Sequence, residues 1–144
     1  MKKGFLPVLS IALLFLFTLG CKRAPEYFVA GDSGQWKIIE INETSTDKQK
    51  WQTVVDIVAT KLDIETLDET SGYIRTGWKI GYGFNQGDAT FNTYRVRATM
   101  KFEPGFKRIR IKTEAIYNNI SGFDNRLLND IVQDVQGRLG RTVK

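Results

Sequence analysis

Thr93-Tyr94-Arg95-Val96-Arg97-Ala98-Thr99-Met100-Lys101-Phe102 is the stretch that decides the fold. It alternates without a break. Tyr94, Val96, Ala98, Met100 and Phe102 fall on one side, and Thr93, Arg95, Arg97, Thr99 and Lys101 on the other. That period of two belongs to a strand with one apolar and one solvated face. Pro104-Gly105 follows. It suits a tight turn, because proline presets φ and glycine accepts positive φ. Alternation resumes over Lys107 to Tyr117, with Ile109, Ile111, Thr113 and Ala115 inward and Arg108, Arg110, Lys112 and Glu114 outward. A two-residue turn predicts Met100 opposite Ile109, Ala98 opposite Ile111, Arg97 opposite Lys112 and Arg95 opposite Glu114.

A sheet with one apolar face needs cover on that side. Two amphipathic segments provide it. Thr46 with Gln49 three residues on fits a capping box. Trp51, Val54, Val55, Val58 and Leu62 then recur at helical spacing. Near the C-terminus, after a loop from Asn118 to Gly122, Phe123, Leu127, Leu128, Ile131, Val135 and Leu139 form a second stripe that ends at Gly140. Trp36 to Ile41 reads as a first strand, with Trp36, Ile38 and Glu40 on one face. Glu65 to Ile80 reads as a second strand region, with a turn at Asp68–Gly72 and with Ile74, Thr76 and Trp78 on one face. Trp51 and Trp78 are expected to meet in the interior. The order is β-α-β-β-β-α, an α+β fold with an antiparallel sheet and two helices on one face.

The N-terminus carries a different kind of signal. Met1-Lys2-Lys3 is positive and free of acids, and an apolar run follows from Phe5 to Leu19, broken only by Pro7, Ser10 and Thr18. It closes on Thr18-Leu19-Gly20-Cys21. Positive start, apolar middle and small-residue exit predict an export signal over residues 1–20. The run is shorter than the roughly 20 residues that span a bilayer; an uncleaved anchor helix is the alternative. Cys21 is the only cysteine, so no internal disulfide is open to it. The segment resembles a bacterial lipobox. That resemblance implies that Cys21 receives a diacylglycerol group and becomes the new N-terminus. Thr18 stands where a lipobox usually has leucine, which leaves ordinary cleavage near Gly20 as a second route. The expected organisation is a signal over 1–20, a lipidated tether over 21–35 and one α+β domain over 36–144. Lys22, directly after the cysteine, favours sorting to the outer membrane, with the domain facing the periplasm.

Composition narrows the chemistry. The chain has 21 basic and 16 acidic residues and no histidine. Removing residues 1–20 takes away Lys2 and Lys3 and no acid, so a positive balance remains. Cysteine–histidine nucleophiles, serine–histidine triads and His/Cys metal sites are excluded. Carboxylate pairs remain, and an enzyme built on them would need two carboxylates converging in a cleft; an enzyme, a cofactor and a metal are not expected, and an exported chain is not expected to meet nucleic acid. Asp63, Glu65, Asp68 and Glu69 cluster but lack the glycine and spacing of a calcium loop, and read as a solvated turn. Gly81-Tyr82-Gly83-Phe84-Asn85-Gln86-Gly87 is glycine-rich, but it leads into a strand, not the helix a phosphate loop requires. Tyr82 and Phe84 on this loop, which runs from Gly81 to Asn92, are candidate partner contacts.

The basic side of the hairpin is the most informative surface. Arg95, Arg97, Lys101, Arg108, Arg110 and Lys112 should all project from it. Such a face solubilises a sheet and guards its edges. It is also the candidate partner-binding face, for an envelope protein or an anionic envelope surface, where each basic residue contributes about 1 kcal/mol near anionic lipid.

One wider pattern stands out. A helix near Trp51 is followed by Ile64, Leu67, Asp68, Thr70, Gly72, Tyr73, Ile74 and Trp78, and then by the basic alternating strand Tyr94-Arg95-Val96-Arg97. This layout resembles the helix-grip domains of the NlpB/BamC-type lipoproteins, accessory parts of the outer-membrane β-barrel assembly machine. The resemblance implies a single helix-grip-like domain in a membrane-anchored, non-enzymatic scaffolding subunit, with no catalytic residues to carry over. The alternative expectation is a carrier that holds a lipid or small apolar ligand between the C-terminal helix and the sheet.

Overall fold

Two long strands, each dry on one side and charged on the other, form the middle of the molecule. The structure, a computed structural model, describes residues 24–32 and 36–140. In chain order the elements are β1 (Phe28–Ala30), β2 (Lys37–Glu40), α1 (Asp47–Ala59), β3 (Ile64–Asp68), β4 (Tyr73–Thr76), β5 (Lys79–Ile80), β6 (Tyr94–Phe102), β7 (Arg108–Tyr117), β8 (Ile120–Asp124) and α2 (Asn125–Leu139). Among the described residues this is an α+β fold, an eight-stranded antiparallel sheet with two helices on one face. β6 and β7 pair along their whole length. Short strands line their outer edges end to end. Beside β7 lie β2, at Arg108–Ile111, and β8, at Ala115–Tyr117. Beside β6 lie β4, at Thr99–Lys101, and β5, at Arg95–Val96. β1 and β3 complete the sheet outside β8 and β4.

The helices form where their caps and stripes require. Thr46 caps α1: its hydroxyl accepts from the Gln49 N–H, while the Gln49 side chain accepts from the Thr46 N–H at 2.9 Å. Trp51, Val54, Ile57 and Val58 are buried. Asp124 caps α2 by accepting from the Leu127 N–H at 2.7 Å. Leu127, Leu128, Ile131, Val135 and Leu139 meet Val96, Ala98, Met100, Ile109 and Ile111 in one core.

The structure corrects four expectations. First, Phe28–Ala30, assigned to the tether, is an edge strand paired with β8, so the folded unit begins before Trp36. Second, Asn118–Gly122 is not simply a loop. Asn118 and Asn119 take positive φ (47° and 66°), and Ile120 already pairs with Tyr117 in β8. Asparagine tolerates that conformation better than other non-glycine residues. Phe123 belongs to β8, not to the helical stripe, because the Asp124 cap starts α2 only after it. Third, the β6–β7 connection is longer than Pro104-Gly105. The Glu103 N–H donates to the Arg108 carbonyl at 2.9 Å. Gly105 (φ 79°) and Phe106 (φ 52°) complete the turn, and Phe106 packs on Phe102 with ring centroids 4.6 Å apart. The register therefore slips by two residues: Met100 faces Ile111, Ala98 faces Thr113 and Arg97 faces Glu114. A slip of two keeps every side chain on its face, and it replaces the expected Arg97–Lys112 repulsion with an attraction.

The fourth correction concerns Trp78. Ile74 pairs with Met100 in β4, whereas Lys79 pairs with Val96 in β5. Five residue steps on one strand oppose four on the other, so the chain carries a one-residue bulge. Its bonds are specific. The Thr76 hydroxyl accepts the Ala98 N–H at 2.9 Å, and the Gly77 N–H donates to the Asp63 carbonyl at 2.9 Å. Ile74 and Thr76 point into the core, but the extra residue turns Trp78 out to the opposite face. Replacing Thr76 by valine, which keeps the shape and deletes the acceptor, leaves the buried Ala98 N–H unpaired. The expected cost is about 1–3 kcal/mol, read as a lower midpoint in urea denaturation.

Candidate functional site: the outer face of the sheet

The face away from the helices gathers all six basic residues singled out from the sequence. Arg95, Arg97 and Lys101 project from β6, and Arg108, Arg110 and Lys112 from β7, opposite in parity to the buried Val96, Met100, Ile109 and Ile111. They differ in how they are held. Arg97 meets Glu114 at 2.7 Å. Arg108 meets Glu103 at 2.7 Å, and Arg110 lies 4.0 Å from the same carboxylate. Among the described residues no carboxylate pairs with Arg95, Lys101 or Lys112. Lys101 and Arg110 sit directly opposite each other, an arrangement that costs stability unless an anion joins them.

Two tryptophans share this face. Arg97 and Arg95 lie 4.5 and 5.2 Å from the Trp78 ring centroid. Lys112 and Arg110 lie 5.2 and 5.5 Å from that of Trp36. Each contact attracts a cation to the ring's negative face. Trp36 and Trp78 both remain 36% exposed, whereas Trp51, on the core side, is 5% exposed. Neither outer tryptophan was singled out as a site residue from the sequence. The available signal was short: Trp-Lys-Ile occurs at both 36–38 and 78–80.

Tyr82 and Phe84 lie elsewhere. Phe84 packs edge-on against Tyr94 at 5.5 Å. The Tyr82 hydroxyl donates to Asp130 on α2 at 3.2 Å. The Arg126 guanidinium lies between the rings of Tyr27 and Tyr82 and donates to the Tyr82 carbonyl at 3.0 Å. Gly83 takes a positive φ (77°) that favours glycine, and a side chain there would also displace that guanidinium. Both aromatic residues are half-buried, and they fasten the loop to α2 through Tyr82 and to β6 through Phe84. A cleft of about 170 Å³ opens beside them, bordered by Tyr27, Phe84, Tyr94, Asp124 and Arg126. Its polar groups are occupied. Tyr94 donates to Asp124, which also caps α2. Burial, then Asp130, pushes the Tyr82 phenol up to about 12. Burial and the Asp124 bond raise Tyr94 as well. These phenols stay neutral donors at ordinary pH, so the cluster is suited to holding structure.

The acidic turn does not converge on a point. Asp68 accepts from the Ser71 hydroxyl and N–H, which hold its carboxyl below the usual value, while Glu65 turns to Arg75 at 3.2 Å. Among the described residues no three potential metal-ligating side chains come together, and no helix is long and apolar enough to cross a membrane.

The outer face has one ion pair with a clear acid response. Burial pushes the Glu114 carboxyl up, but the Arg97 hydrogen bond and charge, with Lys112 and Arg75, outweigh it, so its value is lowered from 4.5. A depressed carboxylate contributes stability that is complete above its unfolded value and lost as pH falls through the folded one. Thermal melts from neutral pH down past 4.5 should show wild type losing stability in that window, with a shallower slope for Glu114→Gln. No protein-family model matches the chain, and no curated protein matches it in sequence.

Proposed function

We propose that this chain is a non-enzymatic lipoprotein. It is anchored through a lipid on Cys21, sits on the periplasmic side of the outer membrane, and acts as an accessory or scaffolding subunit of an envelope complex. The export signal and lipobox-like segment over residues 1–21, which lie outside the described residues, support the anchor. The absence of histidine and the single cysteine in the whole sequence argue against the common nucleophilic and metal chemistries. The layout shared with NlpB/BamC-type helix-grip domains suggests assembly of outer-membrane proteins as the setting.

The observation that carries this reading is the outer face of the sheet, which none of the described elements covers. A sheet whose second face displays tryptophans and unpaired cations is built to lie against something anionic. The carrier reading fares worse. Leu127, Ile131 and Val135, the side chains of α2 that would have to make room for a ligand, are fully buried against the sheet.

Growth with a tagged fatty acid should label the chain, and Cys21→Ser should abolish the label and release the domain from the membrane fraction. Purified from gently solubilised envelopes, the labelled protein should bring a defined set of envelope proteins with it. An unlabelled chain that fractionates alone with the soluble periplasm would overturn the reading.

A further inference from the structure

The two Trp-Lys-Ile segments do the same thing at two places in the sheet. β2 and β5 are the short strands beside the outer edges of β7 and β6. In each, the tryptophan lies over two cations of the central hairpin and the isoleucine follows on the same face. Ile38 pairs with Arg110 and is 56% exposed, and Ile80 pairs with Arg95 and is 55% exposed. Four of the large apolar side chains that this face leaves to solvent, Trp36, Ile38, Trp78 and Ile80, thus sit among its cations. Strand spacing and rise put the centres of the two feet roughly 20 Å apart on a diagonal across the sheet. Between them stand Lys112, with no carboxylate partner among the described residues, and the Arg97–Glu114 pair.

We infer that this face rests on the headgroups of an anionic bilayer, with Trp36–Ile38 and Trp78–Ile80 as two interfacial feet. Tryptophan beside arginine and lysine is the combination that settles at the membrane–water boundary, where the ring enters the headgroup layer and the cations meet phosphate. An acidic protein would satisfy the charges equally well. The membrane is favoured because the exposed apolar residues, Trp36, Ile38, Trp78, Ile80 and, at the β1 edge, Val29, are spread across the face, whereas a protein interface concentrates its apolar anchors at the centre. The inference rests on the lipid-anchored reading above. Cys21 lies seven residues before Phe28, where β1 begins, and a segment of that length reaches at most about 25 Å. A lipid on Cys21 therefore holds the domain at the bilayer surface. Docked this way, the sheet turns α1 and α2 toward the periplasm and leaves their side for protein partners.

The test uses the purified lipidated protein reconstituted in two kinds of vesicle: phosphatidylcholine alone, and phosphatidylcholine mixed with phosphatidylglycerol. Both carry lipids brominated near the headgroup, which quench tryptophan at short range. Trp51 is buried and provides the unquenched background. In the mixed vesicles the outer tryptophans should be quenched. Added salt should relieve the quenching, and Arg95→Glu with Lys112→Glu should weaken the docked state by about fivefold or more per cation. Neither of these residues carries an ion pair among the described residues, so the fold should survive. Equal, weak quenching in both vesicle types with the protein still bound would overturn the docking and leave an acidic protein as the occupant. Failure to float with phosphatidylcholine vesicles would overturn the anchor reading by itself. In that case, binding of the same protein to phosphatidylglycerol vesicles would still support docking, and its absence would overturn it.

Discussion

The pairing of β6 with β7 is the constraint on which the rest depends. Nine residue pairs hold two alternating strands in register, and the alternation leaves no freedom about which side is dry. Val96, Ala98, Met100, Ile109 and Ile111 are wholly buried. Burying a valine, isoleucine or methionine fully contributes about 1.5–3 kcal/mol, so both helices are drawn to one side. The other side is then left uncovered, and its arginines and lysines are held in rows by the same ladder. Core and outer face are two consequences of one hairpin.

What makes the outer face more than a charged surface is the bulge before Trp78. A regular continuation of β4 would have carried Trp78 into the core behind Ile74 and Thr76. One extra residue, held by the Thr76 hydroxyl and the Gly77 N–H, reverses the parity and places the ring over Arg97 instead. Leaving two tryptophans about one-third exposed and two isoleucines more than half exposed forgoes burial that a core position would have given. The cation–π contacts return part of it, on the order of 0.5–1 kcal/mol each at exposed sites. Arg97 serves both sides of this balance, since it is bonded to Glu114 and stacked on Trp78.

The hairpin, the Thr46 cap and the stripe from Leu127 to Leu139 were legible because each is written in strong local periodicity. The edge strands were not. Phe28–Ala30 and Ile120–Asp124 are too short to show a period, and they exist through pairing with partners distant in sequence or across an Asn-Asn turn. The hairpin register was missed because Glu103, Gly105 and Phe106 build a wider turn than Pro104-Gly105 suggests. The six basic positions of the outer face followed directly from alternation. The aromatic part of the face did not. Trp78 is displaced by a side-chain hydrogen bond that no periodicity encodes. Trp36 had a face but no partner until β2 was seen to lie beside Arg110 and Lys112. The surroundings of Tyr82 and Phe84 were hidden because the sequence does not show that Asp130 and Arg126 of α2 reach Tyr82, or that Phe84 folds back on Tyr94.

Trp36 and Trp78 share one outer face that none of the described elements covers, while Trp51 lies in the core. Acrylamide quenching of the three single-tryptophan variants, the other two positions changed to phenylalanine, reads this directly. Trp36 and Trp78 should be quenched readily and Trp51 only weakly. Protection of Trp78 equal to that of Trp51 would mean that the bulge does not turn it outward, and the outer face as described here would not exist.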